Sequence, residues 1–208
     1  GKTTQSKFLI ERLSNLGYKV KFLREPGGTK ISEKIRNILL DIDNEGMYPS
    51  TEFLLYSSSR AQLVNEVIIP ALNNNEVVVC DRFYDSSLAY QGFGRGIDLN
   101  IINFINNFAA PIKPDLTFFM DIQISELNHR TNKMLVQKDR LEISGDSFFK
   151  KVRDGYLYIA QNEPDRFVVI DGSKPKDEIS SLIWLNVSKK LGISKWKHLI
   201  RILNYILF

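Results

Sequence analysis

The chain has 208 residues, of which 43% are hydrophobic and 25% are charged, and it contains no long polar tract. This composition is typical of one folded globular domain and argues against intrinsic disorder and fibrous architectures. The formal net charge of +4 is too small to indicate nucleic-acid binding by itself, and no apolar run is long enough to span a bilayer. The lone cysteine, Cys80, cannot form an internal disulfide, and with no signal peptide visible we expect a cytoplasmic protein.

The start of the chain carries part of a nucleotide-binding motif. Gly1-Lys2-Thr3-Thr4 matches the closing half of the phosphate-binding loop GxxxxGK[ST], which joins a buried strand to a helix. We therefore expect Gly1, Lys2, Thr3 and Thr4 to bind a nucleotide. The preceding strand and the first half of the loop are absent from the chain as written. Because unpaired backbone groups on neighbouring strands are costly, we expect this chain to be poorly stable and nearly inactive, and a longer chain to restore both.

Hydrophobic periodicity predicts that helices and strands alternate along the chain. The predicted helices span residues 3–16, 31–40, 52–72, 99–108, 125–135, 147–161 and 177–190. The predicted strands span residues 18–23, 76–80, 116–120 and 167–170. This alternation predicts an α/β domain of three layers, a parallel sheet flanked by helices, with right-handed crossovers. We assign residues 1–190 to this domain and residues 191–208 to a C-terminal tail.

Polar residues follow the predicted strands, at the edge of the sheet where parallel α/β proteins bind ligands. These residues are Arg24-Glu25, Asp81-Arg82, Asp121 and Asp171. Asp81 follows an apolar strand, as does the acid that supports Mg²⁺ in phosphate-loop enzymes, so Thr3 and Asp81 are the predicted metal ligands. A turn residue or helix cap is the alternative for Asp81. Arg82 beside it can hold a phosphate with its planar guanidinium.

Four motifs occur in a characteristic order after the phosphate loop. They are Arg24-Glu25-Pro26-Gly27-Gly28, Leu54-Leu55-Tyr56-Ser57-Ser58-Ser59-Arg60, Asp81-Arg82-Phe83 and Ser86-Ser87-Leu88-Ala89-Tyr90-Gln91-Gly92. Their order and spacing, over about residues 1–185, resemble those of bacterial thymidylate kinase. The resemblance implies a phosphate-loop nucleoside monophosphate kinase, usually a homodimer. Such an enzyme transfers the γ-phosphate of MgATP to dTMP and gives dTDP for dTTP synthesis.

The resemblance also implies which residues contact the base and sugar of dTMP. Tyr56 and Arg60 lie four positions apart on one helix face, and we expect them to stack on thymine and to bond the base. A core aromatic is the alternative for Tyr56. We expect Gln91 to pair with the pyrimidine edge and Ser87 to lie near the base. Tyr90 is expected near the sugar, where its ring would exclude a ribose 2′-hydroxyl.

Phosphate recognition is expected from three further residues. Arg82 and Arg36 match the arginines that hold the monophosphate in the family, and Glu25 lies at the same crevice. A solvated helix arginine is the alternative for Arg36. Phosphoryl transfer depends on positioning and charge neutralisation, so a basic lid is also expected.

The charged stretch over residues 129–142 resembles that lid, which we place at about residues 136–144. Its closing Asp-Arg-x-Glu element runs from Asp139 to Glu142. Arg130 and Arg140 are expected to act catalytically with Lys2 and Arg82, and Lys133 and Lys138 are second choices. A solvated charged face is the alternative. The only cofactors expected are ATP and the Mg²⁺ that accompanies it.

Two other functions remain open from the sequence. One is a kinase for another nucleotide or nucleoside, such as thymidine or UMP, although Arg36 with Arg82 favours a monophosphate acceptor. The other is a truncated remnant that binds nucleotide weakly or not at all.

The tail over residues 193–208 has one apolar helical stripe with basic residues elsewhere. This pattern predicts an amphipathic helix packed on the domain. A helix on an anionic membrane surface, or an extension without a role, are the alternatives.

Overall fold

The structure, a computed structural model, describes residues 1–124, 126 and 140–193. The helices and strands of this part alternate as the sequence predicts. The helices are α1 Lys2–Asn15, α2 Lys30–Leu40, α3 Pro49–Leu63, α4 Ile69–Asn73, α5 Tyr84–Ser87, α6 Leu99–Ala109, α7 Asp146–Asn162 and α8 Lys176–Lys190. The strands are β1 Val20–Arg24, β2 Val77–Asp81, β3 Thr117–Asp121 and β4 Phe167–Asp171. Most of the helix predicted over residues 125–135, and the tail from residue 194 onwards, lie outside the described residues.

Two helical segments differ from the prediction. The helix predicted over residues 52–72 begins earlier, at Pro49, because a proline in the first helical turn lacks only an N–H that has no intrahelical partner. It then passes through a π-helical stretch, Val64–Ile68, into α4. A second π-helical stretch, Leu88–Gly94, extends α5. The periodicity predicted a helix through Val64–Ile68 without its π form, and it did not predict the Leu88–Gly94 helix.

The four strands form two parallel pairs. β1 pairs with β2 from Val20 opposite Val77 to Arg24 opposite Asp81. β3 pairs with β4 and ends with Asp121 opposite Asp171. Among the described residues no hydrogen-bonded ladder joins β2 to β3, so the predicted sheet is seen as two pairs. The polar residues that end the strands are brought together within each pair, as predicted.

One hydrophobic cluster connects both strand pairs with α1 and α8. Its buried centre includes Leu13 of α1, Ile170 of β4 and Ile183 of α8. Partly buried side chains of all four strands pack against it, among them Val20, Val77, Phe118, Met120 and Val168. The two pairs therefore share one core, against which α1 packs with Leu13.

Cys80 of β2 packs against a second cluster, around Leu23, Leu63 and Val64. Burial raises the pKa of its thiol to about 12, with the charges of Glu25 and Asp81 adding to the effect. The thiol is therefore protonated at neutral pH, and Cys80 serves as a small core residue.

Candidate active site

The first turn of α1 lies at the carboxyl ends of the strands. Nζ of Lys2 is 3.9 Å from Oδ1 of Asp81, the last residue of β2. The backbone carbonyl of Gly1 accepts a hydrogen bond from the N–H of Gln5, so the helix begins directly at the motif. Thr3 is exposed and Thr4 half-buried in this turn. The structure thus brings the predicted nucleotide-binding residues to the acid predicted to support Mg²⁺.

The residues around Lys2 and Asp81 offer oxygen ligands to a cation. The Asp81 carboxylate is partly exposed, and the Thr3 hydroxyl lies in the same turn as Lys2. These hard oxygens suit Mg²⁺, which is commonly held by one or two protein oxygens together with substrate phosphates. Within the described residues there is no cluster of three or more His, Cys, Asp or Glu side chains that could hold a metal ion.

A buried ion pair joins the loop after β1 to α3. Arg60 is fully buried, and its Nε and NH2 donate to the two carboxylate oxygens of Glu25 at 2.5 and 3.0 Å. Its NH1 donates to Oδ1 of Asn106 at 2.6 Å, and its NH2 also donates to the hydroxyl of Ser87 at 2.9 Å. Arg60 of α3 therefore connects α5, α6 and the loop after β1, which we call the crevice loop, and these bonds fix its position.

The Arg-Glu-Pro-Gly-Gly loop is held from both sides. NH1 of Arg36 donates to the carbonyl of Pro26 at 2.9 Å, and the N–H of Gly28 donates to Glu33 at 2.8 Å. Gly28 has a φ of +88°, and a Cβ there would lie 2.8 Å from the side chain of Leu63, so glycine is required. Arg36 is thus brought to the crevice loop, although its contact with a phosphate stays a prediction.

Two helices face each other across the predicted base site. Glu52, Tyr56 and Arg60 follow one another at four-residue spacing on α3, and all three are buried. Opposite them, Ser87 and Gln91 also lie four residues apart. Gln91 donates from Nε2 to Oε1 of Glu52 at 2.9 Å, and Ser87 accepts from Arg60. Tyr56 therefore lies between two interhelical contacts.

Glu52 is a fully buried carboxylate that three donors surround. NH2 of Arg95 donates to its Oε2 at 3.1 Å, and NH1 of Arg140 lies 2.6 Å from the same oxygen. Burial alone would raise the pKa of Glu52, but hydrogen bonds from Arg95 and Gln91 outweigh it and the pKa is lowered. Glu52 is therefore ionised at neutral pH.

Of the predicted lid, the structure describes Arg140, Leu141, Ile143, Ser144 and the backbone of Glu142. Arg140 is buried, and its Nε donates to the carbonyl of Leu39 at 2.9 Å. Its contact with Glu52 ties the end of the lid stretch to α3. The catalytic role of Arg140 stays a prediction, and Arg130, Lys133 and Lys138 lie outside the described residues.

Arg82 follows β2 in an unusual backbone conformation. Its φ is +70°, in the left-handed region that residues other than glycine rarely adopt. Such strain clusters at functional sites. The guanidinium carbon of Arg82 lies 4.8 Å from the centre of the Tyr90 ring. Tyr90 packs edge-to-face on Phe148 and Tyr156 of α7, so this ring is fixed beside Arg82. The phenol of Tyr90 raises the pKa of Arg82, which keeps its charge at any working pH.

The motif order and this geometry both point to one family. The family model for thymidylate kinase matches residues 1–183. The chain belongs to the thymidylate kinase family. It is 47% identical over 189 residues to the thymidylate kinase of Pelobacter propionicus, covering 88% of this chain and 86% of that protein. It is 50% identical over 173 residues to the thymidylate kinase of Thermoanaerobacter sp. strain X514, covering 83% and 84%.

A solved structure supports the same assignment. The crystal structure of thymidylate kinase from Ehrlichia chaffeensis has a TM-score of 0.67 and 36% identity to this chain, covering 82% of this chain and 85% of that one. Thymidylate kinases are phosphotransferases, so the expected enzyme class and the phosphate-loop α/β fold are confirmed.

Several residues of this thymidylate kinase site were not found from the sequence. Glu52 and Asn106 bind the motif residues Gln91 and Arg60 directly but lie outside the motifs that carried the resemblance, and Arg95 binds Glu52. Glu52 precedes Tyr56 by one helical turn, so a search for polar residues on the Tyr56 face of α3 would have found it. Arg153 of α7 forms a two-point contact with Asp121 at the end of β3, at 2.6 and 2.7 Å, and no sequence pattern indicated it.

Proposed function

We propose that the protein transfers the γ-phosphate of ATP to dTMP and releases dTDP and ADP. The observation that carries this proposal is the arrangement of Tyr56, Arg60 and Gln91 on two facing helices, next to the carboxyl end of β2. An aromatic ring, a guanidinium and an amide suit a pyrimidine, because the ring can stack on the base and the polar groups can bond its edge. Membership of the thymidylate kinase family supports the same substrate.

Charge near the transferred phosphate is proposed to come from Lys2 and Arg82. Lys2 lies at the start of α1, where the helix N-terminus and the ammonium group both favour the phosphates of ATP. Arg82 is held at the end of β2 by its backbone conformation and by Tyr90, and its proposed ligand is the dTMP phosphate. Both groups act by electrostatic stabilisation and positioning, as phosphoryl transfer requires.

Mg²⁺ is the metal we propose for the site, held by Asp81 and Thr3 together with the ATP phosphates. When bound, it would neutralise charge on the phosphate oxygens. Residues 136–144 are proposed as the lid, with Arg130 and Arg140 supplying further positive charge. Arg36 and Glu25 are proposed to position the dTMP phosphate from the crevice loop.

A side-by-side phosphorylation assay tests the proposed function. The purified protein, produced with a complete phosphate loop, is incubated with MgATP and dTMP, thymidine, dUMP or UMP, and the products are separated by chromatography. We expect dTDP to form with dTMP at a higher kcat/KM than any product of the other acceptors. Faster phosphorylation of thymidine or UMP would contradict the proposal, and so would hydrolysis of ATP without an acceptor product.

A homodimer is also proposed, because α2, α3 and α6 carry exposed apolar side chains. α3 contacts both α2 and α6. Their exposed large hydrophobic residues are Ile31, Ile38, Leu54, Ile101, Phe104 and Phe108. Exposed apolar residues on neighbouring helices are typical of protein–protein interfaces.

We propose a cytoplasmic location, since dTMP and ATP are intracellular metabolites. In the described part of the chain, no helix has the length and apolar character needed to cross a membrane.

A further inference from the structure

The Glu52 carboxylate determines which end of the Gln91 amide faces the base site. A carboxylate can only accept hydrogen bonds, so Gln91 must present Nε2 to Glu52. The other groups on this carboxylate, from Arg95 and Arg140, are donors too and offer Nε2 no competing acceptor. The carbonyl Oε1 of Gln91 is therefore turned away from Glu52. An amide held in this way turns its carbonyl oxygen, an acceptor, toward a ligand on the side opposite Glu52.

Helix spacing places the Glu52–Gln91 contact one turn from Tyr56 on α3. Glu52 and Arg60 lie one turn before and one turn after Tyr56 on α3, and their partners Gln91 and Ser87 lie one turn apart on the opposite segment. A pyrimidine stacked on Tyr56 would meet Gln91 at one edge. Thymine and uracil carry a donor, N3–H, at that edge, whereas neutral cytosine has an unprotonated N3 that only accepts.

We propose that Glu52 is a positioning residue that sets pyrimidine specificity. By holding the Gln91 amide as an acceptor, it favours substrates with N3–H over substrates with an unprotonated N3. The inference rests on the proposed function, because it requires Gln91 to face the base of a nucleoside monophosphate. Glu52 itself does not touch the substrate and acts through Gln91.

The variant Glu52→Gln tests this role, because it keeps the size of the side chain and makes one end of it a donor. With its oxygen toward Arg140 and NH2 of Arg95, which both contact Oε2, the new amide directs its NH2 group to Gln91, which must turn over to accept it. Gln91 then presents Nε2 to the base. We expect the ratio of kcat/KM for dCMP to that for dTMP to rise at least about tenfold, because a mismatched buried hydrogen bond costs of that order. The change should lie mainly in KM.

Two controls separate orientation of Gln91 from a general structural effect. Asp85→Asn neutralises another buried carboxylate, which Arg166 holds at 2.7 and 2.9 Å, and it should lower stability without changing the substrate ratio. In the Gln91→Ala background, Glu52→Gln should no longer change the ratio. A ratio that is unchanged by Glu52→Gln, or equal losses with both substrates, would overturn the role of Glu52.

A measurement on the wild-type protein covers the case in which Glu52→Gln does not fold. The side-chain amide protons of ¹⁵N-labelled Gln91 should exchange slowly with water and stay slow when dTMP is bound, because Nε2 remains on Glu52. Fast exchange would overturn the proposal. Each of these outcomes would overturn the role of Glu52 in an enzyme that still phosphorylates dTMP. Failure of the proposed function differs, because the wild-type enzyme would then not phosphorylate dTMP at all.

Discussion

At the scale of single residues, the Glu25–Arg60 ion pair has two roles that mutagenesis must separate. Both side chains are almost completely buried, so removing Arg60 takes away a base-binding group and also leaves a buried charge without its counter-ion. Loss of one partner of a buried pair costs roughly 3–5 kcal/mol, whereas neutralising both is much cheaper. Weak dTMP binding by an Arg60 variant therefore does not by itself identify the base pocket.

We expect Arg60→Met to lower the free energy of unfolding by about 3–5 kcal/mol, and the double variant Glu25→Gln/Arg60→Met to recover a large part of that loss. Urea denaturation of wild type, the two single variants and the double variant measures both effects. Arg153→Met is the matched control, because its contact with Asp121 is partly exposed and should be worth about 1 kcal/mol or less. A double variant no more stable than Arg60→Met would contradict the expectation.

The ionisation of Glu52 gives a prediction about pH. Burial opposes its charge, but the hydrogen bonds from Arg95 and Gln91 lower its pKa below the ordinary value of 4.5. A carboxyl with a lowered pKa in the folded protein stabilises the fold above the unfolded pKa, and this contribution is lost as the pH falls through the folded pKa. We expect the stability difference between wild type and Glu52→Gln to be full at pH 6 and to shrink below about pH 4.5. Thermal melts across this pH range measure it, and a constant difference would refute it.

The site residues that could be predicted are those that belong to sequence motifs. Tyr56, Arg60 and Gln91 were found because their motifs have a recognisable order. Glu52 and Asn106 were missed because their roles come from tertiary contacts with these residues, over 39 and 46 positions of sequence separation. Periodicity alone does not report which polar residue of one helix faces which residue of another.

At the scale of elements, the strands could be predicted more securely than the segment Tyr84–Gly94. Each strand is a short apolar run between polar residues, and that pattern depends on local burial alone. The segment Tyr84–Gly94 contains two glycines and a π-helical stretch, and its helical form depends on close packing against α7. The pairing of strands in two groups also depends on tertiary contacts, so the sequence predicted parallel strands but not this arrangement.

The close packing of α7 on this segment predicts an unusual effect of a glycine substitution. Alanine normally stabilises a helix by about 0.5–1 kcal/mol relative to glycine. At Gly155 of α7, however, a Cβ would lie 2.9 Å from the backbone of Ala89, closer than atoms pack. We expect Gly155→Ala to lower the melting temperature and to raise KM for dTMP, because the displaced segment carries Ser87 and Gln91.

Thermal unfolding and steady-state kinetics test Gly155→Ala together. Gly46→Ala is the matched control, since an added Cβ there meets no atom within 4 Å, and it should leave both properties nearly unchanged. A Gly155→Ala protein that is more stable than wild type would show that helix propensity outweighs the close contact.

At the scale of the whole molecule, the surface of α2, α3 and α6 bears on assembly. Phe104 and Phe108 of α6 are 76% and 85% exposed, and they lie four positions apart, so they share one helix face. A stable homodimer usually buries at least about 1,200 Å² in total. One helix face offers too little area for this, so the proposed interface requires the exposed apolar residues of all three helices.

We expect the double variant Phe104→Glu/Phe108→Glu to convert a dimer into monomers, because two pairs of carboxylates would be buried at the interface without counter-ions. Light scattering coupled to size-exclusion chromatography measures the mass directly. Leu185→Glu is the matched control, because this α8 residue is 64% exposed but lies away from α2, α3 and α6, and the variant should remain dimeric. If wild type is monomeric, or if the double variant keeps the mass of a dimer, the α2, α3 and α6 surface is not the dimer interface and its apolar side chains need another explanation.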